Sequence, residues 1–152
     1  MELVGDQDII IARAFKAPAR LIYEAWTKPE FVRRWWAPKS HGVELAECTA
    51  DVRVGGEYRY LMRRGEEEYG FRGTYQELTP HTKLVYTQIF EPFPDAAVLV
   101  TVTLAEVGGL THLVSHERYP SPEARAGALE AGMEHGMRET MDQLDALLAS
   151  LT

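Results

Sequence analysis

At 152 residues the chain is sized for one domain, and 45% hydrophobic against 26% charged residues is the balance of an ordinary globular protein with a real core. A net charge of −7 excludes a nucleic-acid backbone as partner: that needs a concentrated basic surface, and only the short clusters Arg33-Arg34 and Arg63-Arg64 are basic. The single cysteine, Cys48, excludes an internal disulfide and points to a reducing cytoplasm, while Glu2, Asp6 and Asp8 and the lack of a long apolar run fit neither a signal peptide nor a membrane anchor.

The β-branched run at 8–15 predicts the first strand, which Ala17-Pro18-Ala19 ends. Pro18 opens a short helix over 18–26, with Leu21, Ile22, Ala25 and Trp26 on one side. Pro29 opens a second over 29–36, which Ala37-Pro38 stops. Strands follow at 43–54, 57–63, 68–78, 83–90, 96–107 and 110–119, separated by Gly55-Gly56, Arg64-Gly65-Glu66, Thr79-Pro80-His81-Thr82, Glu91-Pro92-Phe93-Pro94 and Gly108-Gly109. In the 57–63 strand, alternation sets Tyr58, Tyr60 and Met62 on one face and Glu57, Arg59, Leu61 and Arg63 on the other.

The last thirty or so residues, 122–151, read as one long amphipathic helix. Ser121 is a good N-cap and Pro122 suits the first helical position. Leu129, Met133, Met137, Met141, Leu144, Leu148 and Leu151 form a single apolar stripe, opposite Arg125, Glu130, Glu134, Arg138, Glu139, Asp142 and Asp145. Such a helix needs an apolar surface about 40 Å long at 1.5 Å per residue. An antiparallel meander of about seven strands supplies one, which gives a single α+β domain over 1–152: a curved sheet wrapped on the long C-terminal helix, with two short helices closing one end. Gly132 and Gly136 beside the methionines suit either irregular packing or a cavity beneath the helix.

Several segments resemble one family in the right order and over nearly the whole chain. They are Ala17-Pro18-Ala19, Ala25-Trp26-Thr27-Lys28-Pro29-Glu30, Arg34-Trp35-Trp36-Ala37-Pro38, Val54-Gly55-Gly56-Glu57-Tyr58-Arg59, Tyr69-Gly70-Phe71-Arg72-Gly73, Leu78-Thr79-Pro80, Leu84-Val85-Tyr86-Thr87 and Val100-Thr101-Val102 with Gly108-Gly109 and Thr111-His112-Leu113. The family is the bacterial branch of the activator-of-heat-shock-protein-90-ATPase homologues, in the START-like (SRPBCC) helix-grip superfamily. The resemblance implies a helix-grip fold with a cavity between sheet and helix. Its members include lipid carriers, cyclases and chaperone activators, so fold alone does not choose among them. The eukaryotic chaperone activators pair this domain with a separate N-terminal one not found in these 152 residues. Where most members carry Gly-Trp in the last helix, this chain has Gly136-Met137, a flexible thioether in place of a rigid ring.

No metal centre or cofactor is expected. His112 and His116 are about 13 Å apart along one strand and cannot share an ion. His135 and Glu139, one helical turn apart, read as a surface pair, and His41 and His81 sit in loops. Cys48 in a strand reads as a buried, inert thiol, and no nucleophile-elbow glycines flank Ser115.

An aromatic wall remains. Trp36, Tyr58, Tyr60, Met62, Phe71, Tyr75 and Tyr86 are expected to face Met133, Met137 and Met141, with Gln88, Ser115 and Glu117 as orienting polar groups. That composition suits a small hydrophobic or aromatic ligand, Glu117 being the one candidate acid or base if it faces inward. The alternatives are a cyclase- or hydrolase-type enzyme, a chaperone-ATPase modulator acting through its surface, and a homodimer through the Arg33-Arg34-Trp35-Trp36 turn or the sheet.

Overall fold

A computed structural model describes residues 1–152. The elements run β1 (Glu2–Val4), β2 (Asp8–Phe15), α1 (Ala19–Thr27), α2 (Pro29–Trp35), β3 (Glu44–Ala50), β4 (Glu57–Arg64), β5 (Glu67–Thr79), β6 (Lys83–Phe90), β7 (Val98–Val107), β8 (Leu110–Arg118), α3 (Pro122–Glu130) and α4 (Met133–Leu151), with a 3-10 turn at Lys39–His41. The strands form one antiparallel sheet in the order β1-β2-β8-β7-β6-β5-β4-β3. Chain neighbours pair through short turns, and the early β2 closes against the last strand β8.

Two expectations are corrected. The sheet has an eighth strand, β1, folded back on β2 through a turn at Gly5 with φ 56°. The C-terminal helix is broken: Gly132 has φ 82°, caps the end of α3 by donating its N–H to the Leu129 carbonyl at 3.1 Å, and stands at the start of α4. Left-handed backbone at a helix end is the position that favours glycine. The segment is therefore two helices joined at Gly132, and Leu129 and Met133 on either side of the join pack against the same small cluster. A smaller correction concerns Leu61, expected with the charged face of β4 but buried between Glu47 of β3 and Gly70 of β5.

The pairing register defines the inner face. Ile9, Glu117, Val100, Tyr86 and Tyr75 lie side by side across β2, β8, β7, β6 and β5, and Ile11, Ser115, Val102, Leu84 and Leu78 form the next row. Against these rows pack Met141, Leu144, Leu147 and Leu148 of α4 with Leu21, Ile22, Ala25 and Trp26 of α1. Burying one such aliphatic side chain contributes about 1.5–3 kcal/mol, so α4 is held mainly by its C-terminal half. Nearer the bend, Leu129 and Met133 close a second, smaller cluster with Ile9, Ile11 and Tyr119. No helix is long and apolar enough to cross a membrane.

The three helical-segment glycines separate by conformation. Gly127 and Gly136 have helical backbone with open space around a would-be Cβ, whereas Gly132 is left-handed. Urea denaturation is expected to show Gly127→Ala and Gly136→Ala stabilising by about 0.5–1 kcal/mol. Gly132→Ala is expected to destabilise by about 1–2 kcal/mol.

Candidate functional site

The two adjacent tryptophans part company at the end of α2. Trp35 is buried, donates its indole N–H to the Ala25 carbonyl at 2.8 Å, and packs on Trp26 with ring centroids 4.6 Å apart. Trp36, half-buried, turns the other way and meets Tyr60 at 5.1 Å and Phe71 at 5.0 Å, edge to face. Trp36 thereby closes a group formed by Trp26, Tyr58, Tyr60, Tyr75, Tyr86 and Gln88, which surrounds a cavity of about 10 Å³. That is room for one water.

Two hydrogen bonds tie the polar atoms of this wall. Tyr58 donates to the Thr87 carbonyl at 2.6 Å, and the Trp26 indole N–H donates to the Tyr86 hydroxyl at 3.1 Å. Tyr58 fits only because its partner across the ladder is Gly73, where a Cβ would strike the Thr87 carbonyl and the Tyr58 ring. The Tyr75 hydroxyl is fully buried with no protein group as hydrogen-bond partner. Burial pushes the Tyr75 phenol up to about 12; Tyr60 nearby acts the other way without reaching hydrogen-bond geometry. Burial likewise raises Tyr58, Tyr60 and Tyr86 well above the usual phenol value. These tyrosines are therefore neutral hydrogen-bonding groups, not bases.

Of the residues singled out in the sequence, Trp36, Tyr58, Tyr60, Tyr75, Tyr86 and Gln88 converge on this cavity. Phe71 stands behind Trp36, and Met62 packs at the rim of the core. Ser115 is buried one row away between Ile11 and Val102, and Met141 is core. Met137 touches both hydrophobic clusters, whereas Met133 belongs to the smaller one, away from the aromatic wall. Trp26 was not among the expected wall residues: its spacing in α1 marks a buried side, which does not distinguish core from cavity lining.

Glu117 faces inward, in the row between Ile9 and Val100, and accepts a hydrogen bond from the Tyr119 hydroxyl at 3.2 Å. Loss of hydration raises its carboxyl above the ordinary value, with the Tyr119 bond opposing. Its charge is felt at Tyr86, so the acid and the aromatic wall share one electrostatic environment. Beside Tyr119 and the aromatic wall, Glu117 is placed to orient a polar group. Cys48 is buried, with its thiol pushed up to about 11 by desolvation, as an inert thiol should be.

A wider concavity, about 690 Å³, lies elsewhere, around the Gly55-Gly56 turn and the outer face of β4 and β5. It is polar, and its arginines are already paired: Arg53 with Asp51, Arg59 with Glu91 and Glu47, and Arg72 with Glu91. With its charges paired and few apolar side chains, it offers less than the mostly apolar aromatic wall, which is the better candidate site.

A curved antiparallel sheet gripping a C-terminal helix, with a tyrosine- and tryptophan-lined interior, defines a START-like helix-grip protein. The chain belongs to the family described as activator of Hsp90 ATPase homolog 1-like protein, whose model matches residues 16–149. Among solved structures, a Rhodobacter sphaeroides protein is 26% identical, with TM-score 0.90 over 99% of this chain and 98% of that one. A Nitrosomonas europaea protein (24% identical, TM-score 0.86, 97% of each chain) shares the fold. So does a Mycobacterium smegmatis protein (24%, 0.81, covering 97% and 94%). No curated protein matches the chain.

The raised Glu117 carboxyl has a signed consequence. Because the folded state binds this proton more tightly than the unfolded one, its contribution is fully present below the ordinary carboxylate value and is lost as pH climbs through the raised one. Glu117→Gln keeps an acceptor for Tyr119 and removes the charge. Denaturant midpoints measured from pH 4 upward are expected to show the variant gaining on the wild type across that window and staying more stable at neutral pH. Glu67, Glu91 and Glu139, whose carboxyls are lowered by hydrogen bonds, contribute with the opposite sign in both proteins and cancel in the difference.

Proposed function

We propose that the protein binds a small hydrophobic or aromatic molecule between the sheet and α4, in a reducing cytoplasm, and that the aromatic wall opens to admit it. The observation that carries this reading is the convergence of Trp26, Trp36, Tyr58, Tyr60, Tyr75, Tyr86 and Gln88 on one small cavity, with no protein group bonded to the Tyr75 hydroxyl. An orphaned buried hydroxyl costs about 1–3 kcal/mol, and a ligand acceptor would supply the missing bond. Gln88 and Glu117 add two further orienting groups to an otherwise apolar surface. A cavity of about 10 Å³ holds no ligand as it stands, so binding requires Trp36 to swing outward from Tyr60 and Phe71. Trp36 is placed for that, being half-buried at the very end of α2 with Ala37-Pro38 beyond it. The neutral tyrosines favour binding over catalysis.

The test pairs native mass spectrometry of protein purified from its own host with thermal-shift screening against lipids, steroids and polyketide-like aromatics. A co-purifying molecule, or a rise in melting temperature that Tyr60→Ala removes, supports the reading. No bound molecule and no shift, with a host chaperone recovered on the protein instead, would move the function to the surface and to chaperone-ATPase modulation, the activity in the family's name. Tyr75→Phe gives a two-sided prediction. The unliganded variant is expected to be more stable by about 1 kcal/mol, through loss of the unpaired hydroxyl. Its ligand affinity is expected to fall about tenfold, through loss of the same group as a donor.

A further inference from the structure

The fold brings together three side chains from distant parts of the sequence. His41 ends the 3-10 turn after α2, while His135 and Glu139 lie one helical turn apart at the start of α4. One donor atom from each lies within 4.8 Å of the other two, and the two imidazoles stack with centroids 5.7 Å apart, 25° from parallel. The sequence alone gave no reason to group them, since His41 reads as a loop residue and His135 with Glu139 as a surface pair. The carboxylate is already oriented: the Ser40 backbone N–H donates to Glu139 Oε2 at 2.8 Å and the Ser40 hydroxyl to Oε1 at 2.6 Å. Each oxygen keeps a lone pair free.

We propose that His41, His135 and Glu139 form a binding site for a divalent transition metal that prefers imidazole, with Zn²⁺ as the reference ion. Two imidazoles and one carboxylate are a donor set that zinc accepts, leaving a fourth position for water or a ligand. On a tetrahedral ion with bonds of about 2.0–2.2 Å the donors sit about 3.3–3.6 Å apart, so the trio must draw in modestly. Both histidines are exposed and neither makes a hydrogen bond that holds it back, so rotation about their side-chain torsions suffices. Ser40 acts as the outer partner that fixes the carboxylate, the arrangement that metal-binding carboxylates usually have. His41 follows Trp36 by five residues and His135 precedes Met137 by two. A bound ion would therefore staple the segment carrying Trp36 to the segment carrying Met137.

The experiment titrates tag-free full-length protein with Zn²⁺ by calorimetry and with Co²⁺ by visible absorption. One equivalent of metal is expected to bind, with d–d bands of a low-coordinate Co²⁺ site and a rise in melting temperature reversed by EDTA. Ser40→Ala is expected to weaken binding about tenfold, the loss typical of an outer-shell partner, and His41→Ala or His135→Ala by more than about 100-fold. His81→Ala, on a histidine packed against Tyr23 outside the site, is expected to bind as wild type does. Each variant's melting temperature in EDTA checks that it folds. Absence of saturable binding, or binding that survives both His41→Ala and His135→Ala, would overturn the proposal.

Discussion

One side chain, Gln143 in the middle of α4, holds the helix in register with everything it covers. Its Nε2 donates to the carbonyls of Trp35 at 2.9 Å and Ala37 at 2.8 Å, and its Oε1 accepts from the Lys39 N–H at 2.9 Å. The Trp35 carbonyl is one that the end of α2 leaves without a helical partner, and the Lys39 N–H one that the start of the 3-10 turn leaves free. An amide satisfies both kinds because it carries donor and acceptor on one planar group. From the other side, Arg13 of β2 reaches Asp142 at 2.8 Å and Asp145 at 3.6 Å. Those ion pairs are largely exposed and add little energy. The energy comes from Leu144, Leu147 and Leu148 beneath. Gln143 and Arg13 decide instead where along the sheet that apolar face comes to rest.

That placement explains why Trp36 stands at the edge of the aromatic wall. With the carbonyls on either side of it tied to Gln143, its backbone has little freedom, and only its side chain can swing. The interior behind it is unusual for a core. Four tyrosines occupy space that leucines could fill without polar atoms to satisfy, and three of them need specific arrangements. Tyr58 depends on the missing side chain at Gly73, Tyr86 borrows the indole N–H of Trp26, and Tyr75 finds nothing. A sequence under selection only for stability has no reason to keep an unpaired hydroxyl there. Strain or orphaned polar groups of this kind are where a function overrides the local rules of packing.

Most of the architecture was legible in the residues. The 83–90 strand has the bounds that its β-branched and aromatic run predicts, the 57–63 strand gains one residue at its end, and the 68–78 strand one at each end, since Gly and charged residues punctuate them clearly. Two features escaped. The β1 strand is three residues long and exists only because β2 pairs with it, so no local pattern announces it. The bend at Gly132 did carry a signal: a glycine after Leu129-Glu130-Ala131 with apolar Met133 beyond it is the pattern of a helix C-terminus. The continuing apolar stripe outweighed it, because a periodic pattern survives a bend when the helix wraps a curved sheet. The site divides in the same way. Strand alternation placed Tyr58, Tyr60, Tyr75 and Tyr86 together, whereas the meeting of His41 with His135 depends on how α4 crosses α2, which only the folded chain determines.

The central claim, that the interior behind Trp36 opens to a ligand while the frame around it stays fixed, is most directly tested by the indole N–H resonances in a ¹H–¹⁵N correlation spectrum. The three tryptophans report on different places: Trp26 bonded to Tyr86 inside the wall, Trp36 at its edge, and Trp35 bonded to the Ala25 carbonyl in the core. Titration with any molecule that raises the melting temperature is predicted to shift the Trp26 and Trp36 signals and leave Trp35 in place. Movement of Trp35 alone, or of none of the three while the melting temperature still rises, would contradict the account and put the binding site somewhere other than the space between sheet and helix.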